Sequence, residues 1–256
     1  MKDTIAVVTG AAGGIGVAVA EALAVRGATV ALLDRDADRL AVVAKELRGA
    51  GHRAEAFPVD VTSSAEVEAV VGAVEEQLGP VDRLVNGAGV MRSGPIDGFA
   101  DEDWQAVFAV NTTGVFHMSR AVVRRMKQRR RGALVTIASN AAGTARMDMA
   151  AYAASKAASS MFTKCLGLEA AAYGIRCNVV APGSTDTPML TGLYDAESAA
   201  RSSIEGVPGA YRLGIPLAKV ARPQDVADAV LFLLSDEASH ITMHHLTVDG
   251  GATLGV

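Results

Sequence analysis

Seven short runs rich in Val, Ile, Leu and Ala alternate with longer segments of helical periodicity along this chain. The runs are apolar throughout, which is typical of strands that helices cover on both faces. Such alternation predicts an α/β fold built on one doubly wound parallel sheet. The predicted strands are residues 4–9, 29–34, 54–59, 83–86, 133–138, 176–181 and 245–248. The predicted helices are residues 14–26, 37–49, 63–78, 101–128, 150–173 and 223–234.

Length and composition indicate how many domains these elements form. The chain has 256 residues, of which 50% are hydrophobic and 20% charged. One large core is the economical interpretation, and no repeat or linker divides the sequence, so we expect residues 1–256 to form a single domain. The segment 185–216, with Gly192, Gly206, Pro208, Gly209 and a helical run near 195–204, is too long for an ordinary connection. It is predicted to be a lid.

Charge and cysteine usage exclude several classes of partner. The chain carries 24 basic and 28 acidic residues, a net charge of −4, which offers no general attraction to nucleic acid or to an anionic membrane. The basic run at 124–131 ends a helical pattern before Gly132 and is predicted to be a solvated helix end. Cys165 and Cys177 lack metal-site spacing and a secreted context, so we expect buried free thiols and a cytoplasmic location.

A glycine-rich turn follows the first predicted strand and opens the first predicted helix. It reads Thr9-Gly10-Ala11-Ala12-Gly13-Gly14-Ile15-Gly16. Glycine lets the backbone approach a pyrophosphate closely, and the N-terminus of the following helix offers N–H groups and positive potential. The turn therefore predicts a dinucleotide site, and the alternative is a tight corner between strand and helix.

Asp34 ends the second predicted strand, about 20 residues beyond the glycine turn, where a carboxylate can bind the adenosine ribose hydroxyls. A carboxylate there also repels a 2′-phosphate, so Asp34 favours NAD over NADP. Two alternatives stay open at this point. The neighbouring Arg35 could shelter a 2′-phosphate, and Asp34 could be no more than an exposed strand end.

Tyr152 and Lys156 have the i, i+4 spacing that places two side chains on one face of a helix. Ser139 stands at the end of the fifth predicted strand, and Asn111 lies in the preceding predicted helix. The carboxyl ends of parallel strands converge on one crevice. These four residues are therefore the candidates for a catalytic group.

The motifs along the chain resemble, in order and spacing, those of the short-chain dehydrogenase/reductase family. They are the turn at 9–16, Asp60-Val61, Asn86-Gly87-Ala88-Gly89, Asn111, Ser139, Tyr152 with Lys156, and Pro182-Gly183. The resemblance implies a Rossmann-type subunit with strand order 3-2-1-4-5-6-7, a nicotinamide cofactor, for which Asp34 favours NAD, and a homotetramer built through the two long helices. The implied cofactor-binding residues are Gly10, Gly14, Ile15, Gly16, Asp34, Asp60, Val61, Asn86, Gly87, Ala88, Tyr152, Lys156, Pro182, Gly183 and Thr185.

The chemistry of the catalytic group follows from its residue types. A free tyrosine has a pKa of about 10, so it is a poor base at neutral pH unless nearby positive charge favours the phenolate. We expect the Lys156 ammonium and a cationic nicotinamide ring to do so, which makes Tyr152 the general base. The resemblance adds that Ser139 orients the substrate oxygen, Lys156 binds the nicotinamide ribose and Asn111 holds a water for the proton relay.

A narrower resemblance is to the branch of this family that dehydrogenates 2,3-dihydro-2,3-dihydroxybenzoate for catecholate siderophores. It is carried by segments 139–143, 146–152, 176–178, 182–187, 213–217 and 248–255. It implies a small carboxylated cyclohexadiene substrate whose C3 hydroxyl is oxidised, after which the ketone enolises to the aromatic acid. Arg146 would bind the carboxylate in a bidentate way, and Met91, Ser184 and Met189 would line the pocket under the lid.

Three alternatives to that function stay open. Ser93 and Asp148 would make the pocket more polar, so the amino analogue 2,3-dihydro-3-hydroxyanthranilate, bound near Asp148, is a second candidate substrate. Another secondary alcohol is a third. The alternative of another class is a catalytically silent nucleotide-binding protein. That interpretation would have to explain why all four candidate catalytic residues are present. His240, His244 and His245 lack paired carboxylate spacing, and hydride transfer needs no metal, so no metal is expected.

Overall fold

The protein is described by a computed structural model over residues 1–191 and 196–255. Seven parallel strands form one sheet in the order β3-β2-β1-β4-β5-β6-β7, which confirms the predicted fold class and strand order. The strands are β1 (Ile5–Thr9), β2 (Thr29–Asp34), β3 (Ala54–Pro58), β4 (Val81–Asn86), β5 (Gly132–Ile137), β6 (Ile175–Pro182) and β7 (His245–Val248).

Helices cover both faces of the sheet. They are α1 (Gly14–Val25), α2 (Ala37–Gly49), α3 (Ser64–Leu78), α4 (Asp101–Phe108), α5 (Val115–Arg129), α6 (Ala150–Ala171), α7 (Pro188–Thr191), α8 (Ala196–Glu205) and α9 (Pro223–Leu234). Apolar residues of α1, α2 and α9 pack in one core cluster, and those of α3, α5 and α6 pack in a second. Successive residues of a strand belong to opposite clusters, for example Val7 and Val8, because side chains alternate between the faces of a sheet.

The predicted helix at 101–128 is helical along its length but is not α-helical throughout. A π-helical segment, Ala109–Gly114, lies between α4 and α5, which the prediction of one regular helix missed. The wider turn is fixed by tertiary contacts: Asn111 bonds the main chain of Val90, and a Cβ on Gly114 would lie 2.7 Å from Val61. Such π segments often occur at functional sites, and this one lies beside the carboxyl end of β4.

The basic run at 124–131 is held by ion pairs rather than by solvent alone. Arg125 lies 3.3 Å from Glu68 and 3.6 Å from Glu75 on α3, and Arg129 lies 3.0 Å from Glu75. The prediction of a solvated helix end therefore missed a network that joins α5 to α3, because sequence spacing does not show which helices become neighbours. Pairing with carboxylates also leaves less of this charge for an anionic partner.

The two cysteines have different environments, and both are free. Cys177 in β6 is buried, and burial raises the pKa of its thiol to about 12. Cys165 is exposed, so the expectation of two buried thiols was wrong for this residue; it lies on a part of α6 where Met161 and Leu168 are exposed too. Within the described residues, none of the helices has the length and apolar character needed to cross a membrane.

The described parts of the segment 185–216, residues 185–191 and 196–216, lie beside the carboxyl ends of the central strands. The segment contains α7 and α8, and α8 corresponds to the helical run predicted near 195–204. A short hairpin follows, in which Val207 pairs with Arg212. Gly192 and Asp195, which belong to the same predicted lid, lie outside the described residues. The segment thus brings side chains to the edge of the sheet where the candidate residues end their strands.

Candidate active site

A cavity of about 510 Å³ opens at the carboxyl ends of β1, β4, β5 and β6. Most of the predicted site residues line it. They are Gly10, Gly14, Ile15, Gly16, Asp34, Asp60, Val61, Gly87, Ala88, Met91, Ser139, Arg146, Tyr152, Lys156, Pro182, Gly183, Ser184, Thr185 and Met189. Asn86 and Asn111 do not line it. Asn140 and Arg212 line it without having been predicted as site residues, and Thr9 and Asp249 hydrogen-bond residues of the lining.

The glycine turn forms one end of the cavity and has no room for side chains at two positions. A Cβ on Gly10, whose φ is +72°, would lie 2.7 Å from the Gly87 carbonyl oxygen, and a Cβ on Gly16 would overlap the Gly10 carbonyl oxygen. Helix α1 begins here with no side-chain cap and no acidic residue in its first turn. Its first N–H groups therefore remain available to an anionic group such as a pyrophosphate.

Thr9 joins the ends of β1 and β4 below this turn. Its hydroxyl accepts hydrogen bonds from the main-chain N–H groups of Gly87 (3.0 Å) and Ala88 (3.2 Å) and donates one to the Val85 carbonyl (3.3 Å). Sequence reasoning quoted Thr9 as part of the turn but gave it no role. A hydroxyl between two strand ends fixes the separation of the two loops that a dinucleotide would contact.

Asn86 has a structural position behind the cavity. Its side-chain N–H groups donate to the hydroxyls of Ser119 (2.9 Å) on α5 and Thr136 (3.4 Å) on β5. The side chain points away from the glycine turn, so the structure does not bring it to the site with the other predicted cofactor contacts.

Two carboxylates mark the far end of the cavity from Tyr152. Asp34 accepts a hydrogen bond from the Ala12 N–H of the glycine turn (3.1 Å) and one from the Asp36 N–H (3.1 Å). Asp60 accepts from the N–H and the hydroxyl of Thr62, and these two bonds hold the pKa of Asp60 below its ordinary value. Arg35 lines the same end. This end therefore combines anionic acceptors with one cation.

Tyr152, Ser139 and Lys156 meet in the interior of the cavity. All three are buried, and Lys156 Nζ lies 5.9 Å from the Tyr152 ring centre. Burial raises the pKa of the Tyr152 phenol, and a hydrogen bond with the Ser139 side chain offsets part of that rise. Lys156 is not among the causes of this shift, so the expected lowering of the Tyr152 pKa by its ammonium is not seen within the protein alone, where desolvation of the phenolate dominates.

Lys156 is held in a mostly main-chain environment. Nζ donates to the Ile137 carbonyl (2.9 Å), and burial lowers the pKa of the ammonium to about 8. Gly89 leaves the space for it, because a Cβ there would lie 3.2 Å from Nζ and 3.4 Å from Asn111 Oδ1. A lysine in such a site is poised to change its charge near neutral pH.

Asn111 connects the π segment to the loop after β4. Oδ1 accepts from the Val90 N–H (2.9 Å), and Nδ2 donates to the Val90 carbonyl (2.9 Å) and to the Ser155 hydroxyl (3.0 Å). Both amide N–H groups are therefore used inside the protein. A water bound by this side chain would have to donate to Oδ1, the atom with acceptor capacity left.

The other end of the cavity carries two guanidinium groups. Arg146, from the loop before α6, was predicted to lie there; Arg212, from the hairpin of segment 185–216, was not. Burial lowers the pKa of Arg146 most, and the positive charge of Arg212 lowers it further. Arg212 stands immediately before the motif at 213–217. This position next to the motif is the sequence signal that could have identified it.

Ser93 and Asp148 do not line the cavity, so the prediction that they make it polar was wrong. Both are exposed, and the Asp148 carbonyl accepts a hydrogen bond from the Gly94 N–H (2.8 Å) on the outer surface. Asp148 has a φ of 60°, and this left-handed turn is a feature of backbone geometry that residue type alone did not reveal.

Asp249, at the end of β7, closes the site from the other side. Its carboxylate accepts bonds from Thr253, Asn140 and Gly251, which together outweigh the effect of burial and lower its pKa. A Cβ on Gly183 would lie 2.6 Å from Asp249 Cβ, so glycine permits the close approach of the two strand ends. In residues 1–191 and 196–255 there is no cluster of three or more His, Cys, Asp or Glu side chains that could hold a metal ion.

Comparison with known proteins gives a consistent set of matches. The family profile described as short chain dehydrogenase matches residues 4–198. The chain is 55% identical to a 2,3-dihydro-2,3-dihydroxybenzoate dehydrogenase of Bacillus subtilis over 100% of this chain and 98% of that protein. It is 43% identical to the Escherichia coli enzyme of the same name over 97% of this chain and 96% of that protein.

Solved structures agree in fold. A gluconate 5-dehydrogenase from Burkholderia cenocepacia, determined in complex with NADP and tartrate, superimposes with a TM-score of 0.92 at 33% identity, over 100% of this chain and 97% of that one. A structure of levodione reductase gives a TM-score of 0.91 at 28% identity and covers 100% of both chains. Proteins with the same fold thus act on different substrates, and one of them binds NADP.

Proposed function

Because this chain belongs to the short-chain dehydrogenase/reductase family and is therefore an oxidoreductase with a nicotinamide cofactor, we propose that it oxidises 2,3-dihydro-2,3-dihydroxybenzoate to 2,3-dihydroxybenzoate with NAD. One observation carries the substrate proposal: Arg146 lines the same cavity as Tyr152 and Ser139. A group that can bind a carboxylate and a group that can accept a proton can therefore contact the same small molecule. The full-length identity to relatives of that name supports it.

The residues of the site fit a nicotinamide dinucleotide. The glycine turn has space only for backbone at Gly10 and Gly16, and the uncapped start of α1 offers N–H groups to the pyrophosphate. Asp34 lies at the rim of that turn, where it would bind the hydroxyls of the adenosine ribose. Lys156 lies deep in the cavity, where it would bind the nicotinamide ribose. When bound, the nicotinamide ring supplies the acceptor for the hydride that leaves C3.

Tyr152 is the general base in this proposal. Its phenolate removes the proton of the C3 hydroxyl as the C3–H bond breaks, and the oxygen becomes a ketone. Ser139 donates a hydrogen bond to that oxygen and so holds it against Tyr152. The ammonium of Lys156, 5.9 Å from the Tyr152 ring centre, favours the phenolate electrostatically. Loss of the C2 proton then turns the ring ketone into the aromatic diol, which favours the oxidation.

The cofactor preference is tested at Asp34. Replacing Asp34 by alanine removes the carboxylate that repels a 2′-phosphate, so we expect kcat/KM with NADP to rise and kcat/KM with NAD to fall, an overall change of about 10- to 100-fold in their ratio. Asp38→Ala is the matched control, since Asp38 is an exposed carboxylate in the first turn of α2 outside the cavity. An unchanged ratio of kcat/KM values for NADP and NAD in Asp34→Ala would mean that Asp34 does not determine the cofactor preference at the adenosine ribose.

A direct assay tests the substrate. Protein, NAD and 2,3-dihydro-2,3-dihydroxybenzoate are mixed, and NADH absorbance is followed together with fluorescence of the aromatic product. We expect both signals to rise in equal amounts. The amino analogue 2,3-dihydro-3-hydroxyanthranilate and gluconate are run in parallel. Turnover of either one with no turnover of the dihydrodiol acid would reject the substrate proposed here.

Three further features belong to the proposal. Met189 and Arg212 line the cavity, which supports the segment 185–216 as a cover for the substrate.

Exposed apolar side chains on α5 and α6 support a homotetramer built through these helices; they are Phe116, Met161 and Leu168. A monomer or dimer in light scattering would contradict the tetramer. The two free thiols are consistent with a cytoplasmic location.

A further inference from the structure

Arg212 brings a second positive charge to the substrate end of the cavity from a distant part of the chain. Both Arg146 and Arg212 are partly exposed, and both line the cavity. Neither guanidinium is in an ion pair with a carboxylate among the side chains that the structure describes. Burial lowers the pKa of Arg146 most, and the positive charge of Arg212 lowers it further, so the two guanidinium groups lie within electrostatic reach of each other.

The hairpin that carries Arg212 is firmly built. Val207 and Arg212 exchange two main-chain hydrogen bonds, of 2.9 and 3.2 Å. The Ile215 N–H donates to the Ile204 carbonyl at the end of α8 (3.0 Å), and a Cβ on Gly214 would overlap that same carbonyl. The backbone of Arg212 is therefore anchored to α8, and its side chain starts from a fixed point.

The Arg212 head group is positioned by two hydroxyls. Nη2 donates to Ser203 Oγ (2.9 Å) on α8 and to Ser184 Oγ (3.3 Å) after β6, and Ser203 is buried. The guanidinium has five N–H donors. Two of its bonds orient the group, and the remaining donors are free to bind an acceptor in the cavity.

Asp249 does not neutralise this pair of cations. It raises the pKa of Arg146, so it lies within electrostatic reach, but its oxygens already accept bonds from Thr253, Asn140 and Gly251. This carboxylate is used elsewhere and does not line the cavity, whereas both guanidinium groups do. The substrate end of the cavity thus keeps an excess of positive charge, which is the complement of an anionic substrate.

We propose that Arg146 and Arg212 together form a two-guanidinium seat for the substrate carboxylate, with Arg212 held in place by Ser203 and Ser184. The inference rests on the proposed function for the identity of the acid. A carboxylate has two oxygens and can accept from two guanidinium groups at once. The seat makes the protein selective for acids over neutral alcohols of the same shape, and it makes the segment 185–216 part of substrate recognition.

The test is a binding measurement with two probes of the same shape, one with an anionic carboxylate and the other with a neutral carboxamide. The dissociation constants of 2,3-dihydroxybenzoate and of neutral 2,3-dihydroxybenzamide are measured by ligand fluorescence in the presence of NADH. The variants are Arg212→Gln, Arg146→Gln and the double variant. Lys219→Gln is the matched control, because Lys219 is an exposed cation near the same segment, 4.0 Å from Asp225 and outside the cavity lining.

We expect Arg212→Gln to weaken binding of the acid by about 10- to 100-fold, as for loss of hydrogen bonds to a charged group, and to leave binding of the amide unchanged. In turnover of the dihydrodiol acid, KM should rise much more than kcat falls. Lys219→Gln should behave as wild type. The double variant should bind acid and amide with similar affinity.

Equal weakening of acid and amide binding in Arg212→Gln, or no change in either, would overturn the proposal. If Arg212→Gln lowers the melting temperature, Arg212→Lys serves instead, because it keeps the charge and should retain part of the preference for the acid. Equal weakening of acid and amide binding by Arg212→Lys at a wild-type melting temperature would overturn the proposal in the same way. The wild-type protein could prefer the acid through both arginines and yet fail to oxidise the dihydrodiol acid. This result would leave the two-guanidinium seat standing and would overturn the proposed substrate.

Discussion

Tyr152→Phe should lower kcat for oxidation of the dihydrodiol acid by about 10³-fold, within the range for loss of general acid–base catalysis. The change removes only the phenolic oxygen, so the ring still fills its buried place beside Lys156 and Ser139. Binding of NAD and of the product should change little, because Arg146 and the glycine turn are untouched. Stopped-flow measurement of NADH formation at saturating substrate gives the chemical step directly.

Tyr173→Phe is the matched control for this variant. Tyr173 lies at the end of α6, where Lys127 Nζ is 4.9 Å and the Arg130 guanidinium 5.6 Å from its ring centre, and it is not part of the cavity. Removing its hydroxyl should leave kcat unchanged. A Tyr152→Phe protein that retains more than about a tenth of the wild-type rate would contradict the assignment of Tyr152 as the base.

The pH dependence provides an independent check of the same group. Only the phenolate of Tyr152 can accept the substrate proton, and burial raises the pKa of this phenol, so the rate of oxidation should increase as pH rises. The Lys156 ammonium loses its charge above a pKa of about 8. The profile of kcat/KM should therefore be bell-shaped with its maximum above pH 8 in the wild type. It should lose its rising limb in Tyr152→Phe, and a wild-type maximum below neutrality would contradict this pairing.

Gly16→Ala is expected to abolish detectable cofactor binding, a loss of at least about 100-fold in affinity. A Cβ at this position would overlap the Gly10 carbonyl oxygen, which is backbone and cannot rotate away. Either the turn opens or α1 shifts, and both changes move the N–H groups that would bind the pyrophosphate. Titration of NADH fluorescence measures the affinity, and circular dichroism verifies that the variant folds.

Gly72→Ala is the control for the added methyl group. Gly72 lies within α3, and a Cβ there would meet no heavy atom within 4 Å. Alanine in a helix interior stabilises relative to glycine by roughly 0.5–1 kcal/mol, so this variant should bind cofactor normally and melt slightly higher. Normal NADH affinity in a folded Gly16→Ala protein would show that the tight turn is not required for the dinucleotide.

Local sequence patterns predicted the frame of the protein because they report local physics. The apolar runs define strands buried on both faces, and the order of the sheet followed from the family resemblance that the turn at 9–16 and the pair Tyr152 and Lys156 carry. The π segment Ala109–Gly114 could not be found this way. Its residues continue the helical periodicity, and the features that accompany the wider turn, the bond of Asn111 with Val90 and the close approach of Val61 to Gly114, join residues that are far apart in the sequence.

The substrate end of the cavity was predicted less well for a related reason. Arg212 lies in a stretch with no clear period, and its place in the cavity depends on the hairpin with Val207 and on Ser203. Conversely, Ser93 and Asp148 matched pocket positions in the resemblance, yet the two loops that carry them leave both side chains exposed and outside the cavity lining. Residue type indicates which chemistry is possible, whereas loop geometry decides which side chains reach the substrate.

Lys156 also links protonation to the thermodynamics of folding. Its pKa falls from an ordinary 10.5 to about 8 in the folded protein, so between these pH values the unfolded chain holds a proton that the folded chain has released. The stability contributed by this group therefore increases as pH rises through that window. Below pH 8 the buried charge opposes folding by about 3 kcal/mol. The ammonium that assists the base at neutral pH thus lowers the free energy of unfolding of the protein relative to a neutral side chain in the same place.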